Sequence, residues 1–419
     1  MSTPSLLNIP YVIKAGTLYS QIPETGAGDF AVTRVTTPTP NRSTRINADG
    51  FIELVNDNVP RLDYPLGGAV NGCPALLVEP SATNSMLYSQ SINSWSIKTG
   101  LTITDNNAIS PDGTQNASYI QQTVGGSAIA LQSAGVTVAS GQAQSVTFYA
   151  KAGEVTSVTL RFVTSSLWAP SGTRPQFTLN LTNGTITLGA GSATVSSQNV
   201  GNGWYRYSIV TPATLTSGST SIQTLTGAIL SANSGDGFYL WGVQWEQNSS
   251  APTSYIPTTT AAVTRNADVI SDTTATALIG QTEGTIYWEG AISRIDRVLF
   301  SLAQGTSTTN CIYLQTLSNG FFRADASVNG SATCAILSLA TATLGQFYKI
   351  AFAYKENDFA LYINGVLQGS DNLGALPTGL SNAIFARGDS SLITDQRCRN
   401  IAIYPNRLSN SELATLTTP

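Results

Sequence analysis

Short runs in which apolar and polar residues alternate, each closed by a tight-turn dipeptide, recur along most of this sequence. In Ser145-Val146-Thr147-Phe148-Tyr149-Ala150-Lys151 every second side chain falls on one face, and Val155–Val163, Trp204–Val210 and Tyr348–Tyr354 continue in the same way. Asn183-Gly184, Asn202-Gly203 and Asn364-Gly365 end or open such runs, and both residue types tolerate the positive φ that a two-residue hairpin demands. Helical spacing is confined to the carboxyl end. There Ser409 and Glu412 are spaced as a capping box and Leu408 and Leu413 as a hydrophobic staple, which predicts one or two helical turns. The fold class that follows is all-β: two antiparallel β-sandwich (jelly-roll) domains in tandem with an extended N-terminal arm.

The boundaries follow from where the alternation fails. Residues 1–72 hold only brief apolar runs, Tyr11-Val12-Ile13 and Phe30 to Val35, and read as an arm for virion attachment or oligomerisation, ordered by contact with other parts. Residues 73–257 read as the first sandwich, ending in the dense strand Phe238 to Trp245. The chain then turns rich in Ser, Thr, Pro and Ala, with Pro252 and Pro257 withholding ladder donors, so 258–283 reads as a linker. Strand patterning resumes at Gly284, and 284–419 reads as the second sandwich, expected to fold independently as a soluble fragment.

Charged residues make up 11% of the chain, under half of the usual ~25%. A net charge of −4 without a basic run argues against a nucleic-acid partner. No stretch approaches the ~18 consecutive apolar residues of a membrane span, so membrane insertion is not expected. The first residues lack a charged segment followed by an apolar one, which predicts synthesis in the cytoplasm rather than conventional secretion. Histidine is absent altogether, which excludes Ser/His and Cys/His nucleophilic sites and His-ligated metals. The cysteines, Cys73, Cys311, Cys334 and Cys398, form no CxxC pair and read as free thiols, although Cys311 and Cys334 are placed to face each other on neighbouring strands.

Three stretches carry a resemblance. "RINADGFIE … NVPRLDY" at 45–64 leads into "CPALLVEPSATN" at 73–84, and "WGVQWE … SYIPT … VTRNAD" spans 241–268. In this order and spacing they resemble a family of tailed-phage virion surface proteins, of head fibre or tail, in which a carbohydrate-binding-module-like jelly roll precedes a concanavalin A/laminin-G-like sandwich. "KIAFAYKENDFALYING" at 349–365 is similar to the central hairpin of that second domain. The resemblance implies a virion component binding host surface glycans non-catalytically, with other virion proteins as partners and a homo-oligomer, trimeric by preference. It also leaves room for a structural calcium ion without identifying ligands. A polysaccharide-degrading phage enzyme and a bacterial surface lectin or adhesin are the alternatives.

For glycan binding the candidate residues are Trp168, in the loop-like Ser165–Gly172 stretch, and Arg174 beside it. The competing reading packs Trp168 under its own loop or into an interface, and frequency favours it. Trp95, Trp204, Trp241, Trp245 and Trp288 lie at or in strand runs and read as core. A retaining or inverting glycosidase needs two carboxylates about 5–9.5 Å apart. Glu289 stands alone in its run, with Asp296 beyond the next, so no catalytic residue is assigned.

Overall fold

The computed structural model describes residues 2–9, 12–64, 73–123, 130–133, 135–229 and 233–419. Tyr11 and the stretch 65–72, which carries the expected boundary between arm and first sandwich, lie outside the described residues. Nearly all regular structure is antiparallel strand, with one α-helix, Asn410–Thr417, among the described residues.

The first sandwich stacks two sheets around a core that includes Phe148, Phe162, Phe177, Tyr207 and Trp245. One sheet centres on Gln144–Ala152, flanked by Trp204–Thr211 and Gly237–Gln247. The facing sheet is built on Ser157–Phe162, Gln176–Asn180 and Ile222–Ile229. The expected Asn-Gly turn forms between Gln176–Asn180 and Ile186–Ala190, with Gly184 at φ +77°. A Cβ there would lie 2.1 Å from Cδ1 of Tyr205, so close packing as well as backbone conformation requires glycine.

The second sandwich is where chain order and spatial order part company. One sheet runs Val366–Asp371, Phe359–Ile363, Phe347–Lys355, Glu283–Ile292, Gln396–Tyr404, then Ala75–Val78 and Arg61–Asp63, with Leu6–Asn8 also paired to Gln396–Tyr404. Its partner sheet runs from Ile13–Lys14, Thr17–Leu18 and Phe30–Thr33 through Val269–Asp272 to Ser331–Thr341. Leu6, Leu18, Phe30, Val32, Leu76 and Val78 are buried in the same core as Trp288, Phe300 and Phe352. The amino-terminal segment is therefore part of the carboxyl-terminal sandwich, and the first sandwich is inserted between its two halves. That corrects the tandem path. Segment 258–283 is corrected likewise: it contains Val263–Arg265, paired with Ala82–Asn84 and Thr36–Thr37, and Val269–Asp272, paired with Phe30–Thr33. Its composition looked like a linker because each strand is only three or four residues long and buries just two residues.

Ser409 caps the helix as expected, accepting from the Glu412 N–H while the Glu412 side chain takes the Ser409 N–H. Leu408 and Leu413 anchor it on the small-residue face of Ala351, Ala353, Ala360 and Ala402. Cys311 and Cys334 do not pair: they lie on Cys311–Thr316 and Ser331–Thr341, with Phe321–Val328 between, and all four thiols are free.

Candidate functional site: a cleft between the sandwiches

The resemblance-bearing stretches converge on one buried ion network. Arg34, Arg61 and Arg265 surround Glu79 and Asp268, all five side chains being at most 3% exposed. Arg61 binds Glu79 at 2.7 Å and also Asp268; Arg34 reaches Asp268 at 2.9 Å; Arg265 lies 3.3 Å from Glu79. Ser254, of the "SYIPT" run, donates both its N–H and its hydroxyl to Glu79 at 2.7 Å. Burial alone would raise the Glu79 and Asp268 pKa values, but the neighbouring arginines hold both well below the usual carboxylate range. Arg34 comes from the arm, Glu79 from just after a second-sandwich strand, and Arg265 from a strand of the first sandwich's sheet, so the network ties the two sandwiches together. A second tie is Arg294, whose Nη2 donates to Ser249 Oγ and Ala251 O.

Beside this network a cleft of about 650 Å³ opens between the sandwiches. The first sandwich contributes Ser196, Ser197, Gln198 and Arg206; the second contributes Phe347, Asp395, Arg397 and Arg399; the amino-terminal segment adds Asp63 and Tyr64. Phe347, Ala291 and Arg397 stand side by side across three strands. Arg399 is the extra residue of a β-bulge, since Glu289 pairs with Asn400 and Gly290 with Cys398. Bulges re-aim side chains, and here the guanidinium lies over the Phe347 ring, 3.7 Å from its centroid. Gly290 permits the close approach: a Cβ would meet Arg397 O at 2.5 Å and the Trp288 ring at 2.6 Å.

The cleft's polar groups are unevenly satisfied. Asp63 accepts from Arg397 Nε and from Ile46 N–H, each at 2.7 Å. Arg206 donates to Thr253 O at 2.6 Å and sits over Tyr149. Among the described residues, Arg206 Nε, Asp395 Oδ2 and Arg399 Nε are buried without a hydrogen-bond partner. Burial, reinforced by the nearby Glu79 charge, lifts the Asp395 pKa to about 7. No group of three or more metal-ligating side chains occurs among the described residues.

The residues proposed from sequence lie elsewhere. Trp168 is 1% exposed and packs against Phe162 and Trp245, its indole N–H donating to Val163 O at 3.0 Å. It is core, not a sugar platform. The Ser165–Leu167 turn folds the loop inward, and burying a large apolar ring outweighs leaving it in solvent. Arg174 is exposed and does not line the cleft. Trp95, Trp204, Trp241, Trp245 and Trp288 are all buried as expected. Sequence reasoning missed Arg206, Asp395, Arg397 and Arg399, although two arginines two positions apart just ahead of the apolar run Ile401–Tyr404 were a visible signal.

Residues 287–414 match the Concanavalin A-like lectin/glucanases superfamily. This covers most of the carboxyl-terminal, lectin-like half of the second sandwich, including Phe347, Asp395, Arg397 and Arg399. No curated protein matches the chain. Among solved structures, the sialidase carbohydrate-binding module of Ruminococcus gnavus bound to α2,3-sialyllactose is similar at TM-score 0.30 and 17% identity, covering 33% of this chain and 84% of that one. A pentraxin of Limulus polyphemus is similar at TM-score 0.27 and 16% identity, covering 32% and 69%. The Trypanosoma rangeli sialidase is similar at TM-score 0.29 and 18% identity, covering 36% and 26%.

Proposed function

We propose that this chain is a tailed-phage virion surface protein that binds host-surface glycans in the cleft between its sandwiches and does not cleave them. The observation that carries the reading is the cleft itself. A lectin-like sandwich supplies one wall, and hydroxyl, amide and guanidinium groups line it around the aromatic Phe347. Sugars are recognised through such ring faces and polar edges. The absence of cleavage is supported by the state of the carboxylates: Asp63 and Glu79 are engaged by arginines, leaving Asp395 without an ionised partner free to act as base or nucleophile. The virion role rests on the sequence resemblance, with assembly as a homotrimer and neighbouring virion proteins as partners.

Two measurements test these parts separately. Mass spectrometry of purified virions should find the chain in mature particles, and its absence removes the virion role. Incubation with purified host polysaccharide should release no reducing ends, and release favours the enzyme reading instead.

A further inference from the structure

We infer that the cleft is built for a carboxylate-bearing sugar, with Arg399 and Arg206 as the residues that select it. The inference rests on the glycan-binding reading and adds the ligand's charge to it. The argument is a charge balance of the cleft walls. Asp63 is paired with Arg397 at 2.7 Å. Glu79 is paired with Arg61 and Arg265 in the network behind the wall. Arg206 and Arg399 remain, and neither has a carboxylate within ion-pair distance among the described residues. The residues outside those described contain no Asp or Glu. The buried Asp395 does not fill the role either: it forms no ion pair with Arg206 or Arg399, and burial beside Glu79 disfavours its charged form.

Two guanidinium groups thus face one cleft uncompensated, in a protein whose net charge is −4. The Arg399 side chain makes no hydrogen bond among the described residues and rests on the Phe347 ring. Stacking fixes the plane of the fork and leaves its edge donors unused, which is the arrangement that favours a planar carboxylate. Arg206 spends one donor on Thr253 O and keeps others. Ser196, Ser197 and Gln198 on the same wall offer neutral partners for ring hydroxyls. A neutral sugar would satisfy the hydroxyl partners and leave both guanidinium groups without an anion. An acidic sugar satisfies both sets.

The test is a glycan array probed with the full-length chain, holding neutral and carboxylate-bearing oligosaccharides together with the methyl esters of the acidic ones. Binding is expected to the carboxylate-bearing set. It should fall about tenfold or more on esterification, as for loss of a charge-assisted hydrogen bond, and should weaken as salt rises. Arg399→Gln and Arg206→Gln should each reduce it, and Arg399→Lys, which keeps the charge but loses the fork, should restore it only in part. Hits confined to neutral glycans, or acidic hits indifferent to esterification, overturn the inference while leaving glycan binding intact. An array blank for every glycan overturns the glycan-binding reading as well. The esterification arm uses the unmodified protein, so a variant that fails to fold does not decide the outcome.

Discussion

At the scale of single residues, exposure in the folded state decides what a side chain does, and Trp168 shows the difference. Its loop-like sequence context suggested a sugar platform, yet its ring closes one end of the first core against Phe162 and Trp245. Trp168→Ala should therefore cost about 3–5 kcal/mol of stability through the cavity it leaves, seen as a large drop in melting temperature; an unchanged melting temperature with weaker glycan binding would restore the platform reading. Asp268 is a second such residue, holding three buried arginines. Asp268→Asn should cost about 3–5 kcal/mol, because the arginines stay buried without their counter-charge. Denaturant unfolding measures this. The carboxylates of the junction also differ in the sign of their pH dependence. Glu79 and Asp268, with lowered pKa values, add stability above about pH 4 that is lost as pH falls through their folded values. Asp395, raised to about 7, holds its proton better folded than unfolded, so it removes stability as pH climbs from about 4 to 7. Asp395→Asn should flatten that decline, with melting curves from pH 5 to pH 8 as the readout.

At the scale of elements, the amino-terminal strands matter more than their length suggests. Leu6–Asn8 covers one stretch of Gln396–Tyr404, and Ala75–Val78 pairs with another. Phe30–Thr33 covers Val269–Asp272. A fragment from Gly284 to Pro419 loses all of them, together with buried Leu6, Leu18, Phe30, Leu76 and Val78. It should expose both apolar surface and open strand edges, and aggregate rather than behave as the soluble β-protein that its own alternation suggested. Size-exclusion chromatography of that fragment is the check, with a monodisperse monomeric peak as the contrary result. The start of the helix, by contrast, was legible to the residue: a serine cap, its Glu412 partner and two flanking leucines are local in sequence and need no tertiary contact to be recognised.

At the scale of the whole molecule, the inserted arrangement couples the sandwiches. The ion network joins arm, first sandwich and second sandwich at one point, and Arg294 adds a second contact. Scanning calorimetry of the intact chain should show one cooperative transition, since neither sandwich can unfold without stripping the other of strands or counter-charges. Two separated transitions would mean that the junction contributes little. The cleft belongs to this scale as well, because its walls come from both sandwiches and it exists only while they are docked.

What the sequence determined by itself was everything carried by local periodicity: the all-β class, the Asn-Gly hairpins, the buried strand tryptophans and the capped helix. Alternation with period two and turn dipeptides act over a few residues, and those are read directly. What only the tertiary structure decided was long-range. Strands of two to four residues, such as Leu6–Asn8 and Val263–Arg265, are too short to show a period, so their partners hundreds of positions away left no local trace. The same holds for Arg34, Arg61, Glu79, Arg265 and Asp268. All but Arg34 stood in the resemblance-bearing stretches, but that they neutralise one another in a dry interior follows only from the fold that brings them together.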